Sequence, residues 1–176
     1  MRTLSTDAGH PMPLDQEAFL RHYEVFNHRI YTYFWYRTGF RRETAEDLTQ
    51  EVFLKAFQAF ASFDCQRSFA PWIFRIAHNH LVNHYRGQRS TIPLDEMPEL
   101  PAPNRIDVEH RMEWERALRH LDTLPSDERD LLLLRYVDQL SHDEIADVGG
   151  KRTIAVRVAV HRATKRLRAA LEEVAV

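Results

Sequence analysis

Pro93, Pro98, Pro101 and Pro103 all fall between Arg89 and Ile106, and no regular helix can run through them. Each proline removes a backbone donor and fixes its own φ, so this acid-bearing segment reads as an extended linker. The chain therefore divides into a flexible N-terminus at 1–14, a unit at 15–88, the linker at 89–107 and a second unit at 108–176.

Both units carry helical periodicity, and strand signals are weak throughout. Asp15 can cap a first helix reaching Thr38, where Gly39 supplies a stop; its Phe19, Tyr23, Phe26, Ile30 and Phe34 recur at helical spacing. A second helix runs from about Glu43 to Ala61, with Leu48, Val52, Ala56 and Ala59 on one stripe, and a third from about Pro71 to Gln88. Beyond the linker, helices are expected over Asp107–Leu121, Pro125–Val137, Ser141–Val148 (Ser141 as cap) and Arg152–Glu173, with a Gly149-Gly150 turn before the last. The fold class is all-α: two small helical domains joined by a Pro-rich linker.

Charge narrows the function classes. The total is near neutral, 24 Lys+Arg against 26 Asp+Glu, and taken whole it argues against a nucleic-acid partner. Position by position the picture changes. Lys151–Leu171 holds seven basic residues and no acid, and Cys65–Leu94 holds four arginines, three histidines and no carboxylate. Asp95–Glu115 and Asp122–Asp147 hold seven and eight acids, with two arginines each. Two basic helical stretches set apart by acidic sequence fit two nucleic-acid contacts better than one solvated face. The acidic segments should also keep the isolated chain from binding duplex DNA well.

Other classes lack their signals. One cysteine, Cys65, excludes an intrachain disulfide framework and Cys-rich zinc modules and suits a reducing cytosol. No run of apolar residues is long enough for membrane insertion, the start has no apolar signal-peptide core, and no Gly-rich phosphate loop occurs, so no cofactor is expected. His80 and His84 have the i,i+4 spacing a metal could use, but no H-E-x-x-H pattern accompanies them, and His80 reads better as a packed histidine than as a ligand.

Three surfaces could carry function. On the second helix, Asp47, Gln50, Glu51, Leu54 and Gln58 share an arc away from the apolar stripe: either an ordinary exposed face or a docking strip with carboxylates around an apolar anchor. On the third helix, Arg75, Asn79, Asn83 and Arg86 share an arc opposite Ile73, Ala77 and Leu81, and Asn and Arg read base edges and bind phosphate. The preceding loop, Phe63 to Phe69, mixes aromatic, polar and basic groups suited to holding an unstacked base, while Phe69 and Trp72 read as core. Around Gly149-Gly150, helix, turn and basic helix make a helix-turn-helix plan. Ile145, Val156, Val160 and Leu167 would form its seam, and Arg152, Thr153, Arg157, His161 and Arg162 would face outward. A membrane surface or a protein partner could also take such a basic amphipathic helix.

Ordered motifs along the chain then resemble a family. Asp47-Leu48-Thr49-Gln50-Glu51-Val52-Phe53-Leu54 and Phe69-Ala70-Pro71-Trp72-Ile73-Phe74-Arg75-Ile76-Ala77-His78-Asn79 resemble domain 2 of bacterial extracytoplasmic-function (ECF, group IV) sigma factors. Leu124-Pro125, the run Leu131–Tyr136, Leu140–Ala146, His161-Arg162-Ala163 and Lys165–Arg168 resemble domain 4. The resemblance spans about residues 15 to 172, with the family's linker in place.

What the resemblance implies is a promoter-specificity subunit of RNA polymerase, cytoplasmic and non-enzymatic. Asp47, Gln50, Glu51, Phe53 and Leu54 would dock on the β′ clamp helices of core polymerase, with the β flap a further contact. Asp64, Cys65, Gln66, Arg67 and Ser68, with Asn79, Asn83 and Arg86, would capture and melt the −10 element. Arg152, Thr153, Arg157, His161, Arg162 and Lys165 would meet the −35 element, and an anti-sigma factor is an expected partner. Domain 4 departs from the family pattern at Gly149, Lys151, Ile154, Ala155, Val158 and Ala159, which leaves fewer hydrogen-bonding groups on the recognition helix. The rival readings are a helix-turn-helix regulator acting without polymerase docking and a His-rich metallohydrolase.

Overall fold

The computed structural model describes residues 13–88, 121 and 123–173. The linker, and the helix expected over Asp107–Leu121 apart from the helical Leu121, lie outside the described residues. The front unit comprises α1 (Pro13–Arg37), α2 (Arg42–Ala59), a 3-10 turn at Phe60–Ser62 and α3 (Phe69–Gln88). The rear unit comprises α4 (Ser126–Leu132), a π-helical turn at Leu133–Val137, α5 (His142–Gly149) and α6 (Thr153–Glu173). There is no strand among the described residues.

Three boundaries differ from the sequence reading, each for a local reason. α1 begins at Pro13, so Asp15 lies inside the helix and not at its cap; proline at the first helical position loses no bond that a helix would use. α3 begins at Phe69, which puts Pro71 in the first turn, where its missing N–H has no intrahelical acceptor. The helix expected to continue to Val137 widens after Leu132, and the Asp138 N–H reaches back to the Leu133 carbonyl at 2.9 Å.

The stops and starts rest on specific side chains. Gly39 takes φ +65° beyond α1, and Phe40 follows at φ +62°, held by its ring against Trp35 and Tyr36 and by its N–H on the Trp35 carbonyl. Ser141 caps α5 in a reciprocal box. Its hydroxyl accepts the Glu144 N–H at 3.2 Å, and a Glu144 carboxylate oxygen accepts the Ser141 N–H at 2.8 Å. Gly150 closes α5 in the left-handed conformation at φ 62°.

The apolar core of the front unit continues into the rear one. Ile30, Tyr33, Phe34, Val52, Ile73 and Phe74 belong to the same buried cluster as Leu131, Leu134, Leu140, Ile145, Val156 and Val160. The four-leucine run is buried on all sides: Leu131 and Leu134 join that core, while Leu132 and Leu133 pack with Leu121, Leu124 and Ala163 in a second cluster. α3 lies against α5, so the two units meet over an extended face.

Ion pairs are buried in this junction. Arg37, at the end of α1, donates to the Asp130 carboxylate at 3.0 Å and to the Tyr33 carbonyl at 3.0 Å, and lies 3.5 Å from Asp138. Burial opposes its charge, but Tyr33, Asp138 and Asp130 hold its pKa above the ordinary arginine value. Asp138 is buried too, and burial raises its carboxyl from 3.8 to about 7 against the opposing pull of Arg37 and Arg29.

Candidate docking and nucleic-acid surfaces

The α2 strip is exposed where its wheel position requires. Asp47, Gln50, Glu51, Leu54 and Gln58 all face solvent, and Leu54 is 59% exposed. Phe53 is the exception. It is 5% exposed, with its ring 4.8 Å from Tyr23 and 6.4 Å from Phe19, so it supports the strip from beneath and presents no surface of its own. One Glu51 carboxylate oxygen lies 2.9 Å from His80 Nε2, and Lys55 Nζ lies 2.6 Å from His80 Nδ1. Burial, and then Lys55, lower the His80 pKa. The ring sits between the two side chains, hydrogen-bonded through Nδ1 to Lys55, with Nε2 close to the Glu51 carboxylate but in no hydrogen bond with it. His80 is thus the packed histidine expected, and it lies directly against a strip carboxylate. No group of three His, Cys, Asp or Glu among the described residues could hold a metal ion.

The loop before α3 is tightly turned over an aromatic bed. The Asp64 carboxylate accepts the Gln66 N–H at 3.0 Å, its carbonyl accepts the Arg67 N–H, and Arg67 folds back to within 3.5 Å of the carboxylate. Asp64, Cys65, Gln66, Arg67 and Ser68 are all exposed. Below them Phe63 tilts against Trp72 at 5.0 Å, and His22 stacks on the buried Phe69 ring at 4.1 Å. Phe69 is core and Trp72 half-buried against it, as their place at the helix entry suggests.

Asn79, Asn83 and Arg86 are exposed along α3, on the face that also holds Arg75. Two contacts here were invisible in the sequence because both cross to the rear unit. Arg75 donates through Nε to the Asp147 carbonyl at 2.9 Å, with its terminal nitrogen on the same oxygen, and the Ser68 hydroxyl lies 3.4 Å from Glu144. The second side chain is the one that completes the α5 cap.

α5 and α6 form the helix-turn-helix. Ile145, Val156 and Val160 are buried in its seam, while Leu167 is half-buried against the second cluster. Arg157, His161, Arg162 and Lys165 are exposed on α6, and Arg152 is exposed immediately before it. Thr153 is engaged differently from the outward role expected. It is half-buried, and its hydroxyl donates to the Asp143 carboxylate at 2.7 Å, tying the start of α6 to α5.

The whole is a pair of helical modules, one with a polar docking strip and a loop-helix surface, the other a helix-turn-helix. Residues 23–91 match the family model described as sigma-70 region 2, and residues 114–167 match that of sigma-70 region 4. The ECF RNA polymerase sigma factor ShbA of Streptomyces griseus is 34% identical over 77% of this chain and 75% of its own length. BldN of Streptomyces coelicolor, another ECF sigma factor, is 29% identical over 87% of this chain, which spans 60% of BldN. Among solved structures, CnrH in complex with the cytosolic domain of CnrY superposes with a TM-score of 0.67 at 25% identity, over 90% of both chains. The chain belongs to the ECF RNA polymerase sigma factors. As a member it is a promoter-specificity subunit for transcription initiation and not an enzyme, and the regulator without polymerase docking is not favoured.

Proposed function

We propose that the three surfaces divide the work of promoter recognition. The strip Asp47, Gln50, Glu51 and Leu54 docks on the β′ clamp helices of core RNA polymerase, and the rear unit meets the β flap. The Asp64–Ser68 loop with Asn79, Asn83 and Arg86 takes the −10 element, its turned backbone presenting polar groups above the aromatic bed. The exposed basic residues of α6 meet the −35 element. The protein works in the cytoplasm with polymerase, and an anti-sigma factor is its expected regulator, CnrH having been solved with a protein partner.

The observation that carries this reading is the α2 strip: an exposed leucine flanked by the exposed carboxylates of Asp47 and Glu51 and the amides of Gln50 and Gln58, with Glu51 2.9 Å from the buried His80. A duplex-binding regulator has no use for such a constellation, whereas a large protein partner does. Pull-down of core polymerase with Glu51→Arg and Leu54→Asp variants tests it. Both should lose at least tenfold in polymerase capture while keeping wild-type circular dichroism, and run-off transcription should fall in parallel. Undiminished capture by both variants refutes the docking assignment.

A further inference from the structure

The outermost line of α6 is apolar where a base reader is expected to be polar. Ile154 is 76% exposed, the most of any large apolar side chain among the described residues, and Val158 is 45% exposed. Advancing 100° per residue from the buried Val156 puts both within about 20° of the direction pointing straight away from the protein. Both fall in the first two turns of α6, the part of a recognition helix that meets base edges.

The polar groups that could read bases by hydrogen bonds are few there. Thr153 has given its hydroxyl to Asp143, and Ala155 has none to offer. What surrounds the apolar pair is positive. Arg157 and His161 lie to one side, Arg162 to the other, and Lys165 follows one turn on, all exposed, with no acidic residue between Lys151 and Leu171. A rim of that charge complements a polyanion and not an apolar protein surface. Nor is this a membrane-seeking helix, because its broad apolar face (Val156, Val160, Ala163) is already buried within the protein.

We propose that Ile154 and Val158 contact thymine C5-methyl groups in the major groove, so that α6 recognises its upstream element through van der Waals contact with methyls. The major groove displays the methyl only at T, so an apolar side chain there selects A·T pairs of defined orientation. Arg157, Arg162 and Lys165 hold the helix on the phosphates, which supplies affinity without sequence preference. This inference rests on the reading of α6 as the −35 reader.

The test uses holoenzyme assembled from this chain and core RNA polymerase to select promoters from DNA randomised upstream of the start site. The selected upstream element is then resynthesised with deoxyuridine for thymine, which deletes only the methyl. Wild-type holoenzyme should bind the uracil promoter about three- to fivefold more weakly for each contacted methyl. Holoenzyme carrying Ile154→Ser and Val158→Ser should bind thymine and uracil promoters equally. Both side chains are exposed, so the variant keeps its fold, and the ratio within each holoenzyme is independent of its active fraction. Equal binding by the wild type, retained discrimination by the serine variant, or a selected upstream element without thymine overturns the methyl readout but leaves α6 as the upstream reader. Failure to select any upstream element overturns that reading itself, and this inference with it.

Discussion

The Arg37 guanidinium lies 3.0 Å from the carboxylate of Asp130, a residue 93 positions later in the chain, and the arginine side chain is almost wholly buried. Asp138 approaches the same guanidinium at 3.5 Å and is buried as deeply. An arginine from the front unit is thus enclosed by two carboxylates from the rear.

Removing the cation should therefore cost more than any exposed pair in this protein. Arg37→Met leaves Asp138 in an apolar setting without its guanidinium, and loss of one partner of a buried pair costs about 3 kcal/mol. Chemical denaturation should show this loss, and adding Asp138→Asn to the variant should recover part of it. Surface pairs such as Arg21–Glu17, both exposed, should be silent in the same measurement.

Asp138 also makes stability depend on pH in an unusual direction. Its folded pKa is raised by burial from 3.8 to about 7, so folding favours the protonated form. The stability it contributes is fully present below about pH 4 and is lost as the pH rises through about 7. The wild type should lose stability relative to Asp138→Asn between pH 5 and pH 7, by at most about 1.4 kcal/mol per pH unit. Comparing the two proteins cancels the histidines, of which the half-buried His78 and the buried His80 have pKa values lowered by burial and act in the opposite sense. Parallel profiles for the two proteins would contradict the assignment.

Phe53 and Leu54 are neighbours with opposite roles. Phe53→Ala empties a site lined by Phe19 and Tyr23 and should cost about 3–5 kcal/mol in thermal or chemical unfolding. Leu54→Ala, on an exposed side chain, should change stability by less than about 0.5 kcal/mol and show its effect only in polymerase capture.

What could be read from the chain alone followed interaction range. The Ser141 cap, the Gly39 stop, the seam residues Val156 and Val160 and the exposed arc of α2 depend on residues a few positions apart, and periodicity or capping chemistry exposes them. Phe53 was misplaced because motif likeness does not distinguish a side chain that touches the partner from one that props its neighbour. Asp138 sits in the acidic run Asp122–Asp147, where nothing in the local sequence singles it out for burial. Its burial depends on Arg29 and Arg37, which meet it only when the units pack. His80 could be read as packed, but its contact with Glu51 needed α2 and α3 side by side.

Arg75 shares the α3 face with Asn79 and Asn83, yet its guanidinium rests on the Asp147 carbonyl of the rear unit. An anion that takes this arginine must first displace a backbone oxygen of the rear unit. Anion affinity at that position is then linked to the contact between the two units. The dissociation constant for an anion at that guanidinium is then the intrinsic one divided by the fraction of molecules in which Arg75 has left the carbonyl. Anything that draws Arg75 off the Asp147 carbonyl raises that fraction without touching the anion itself.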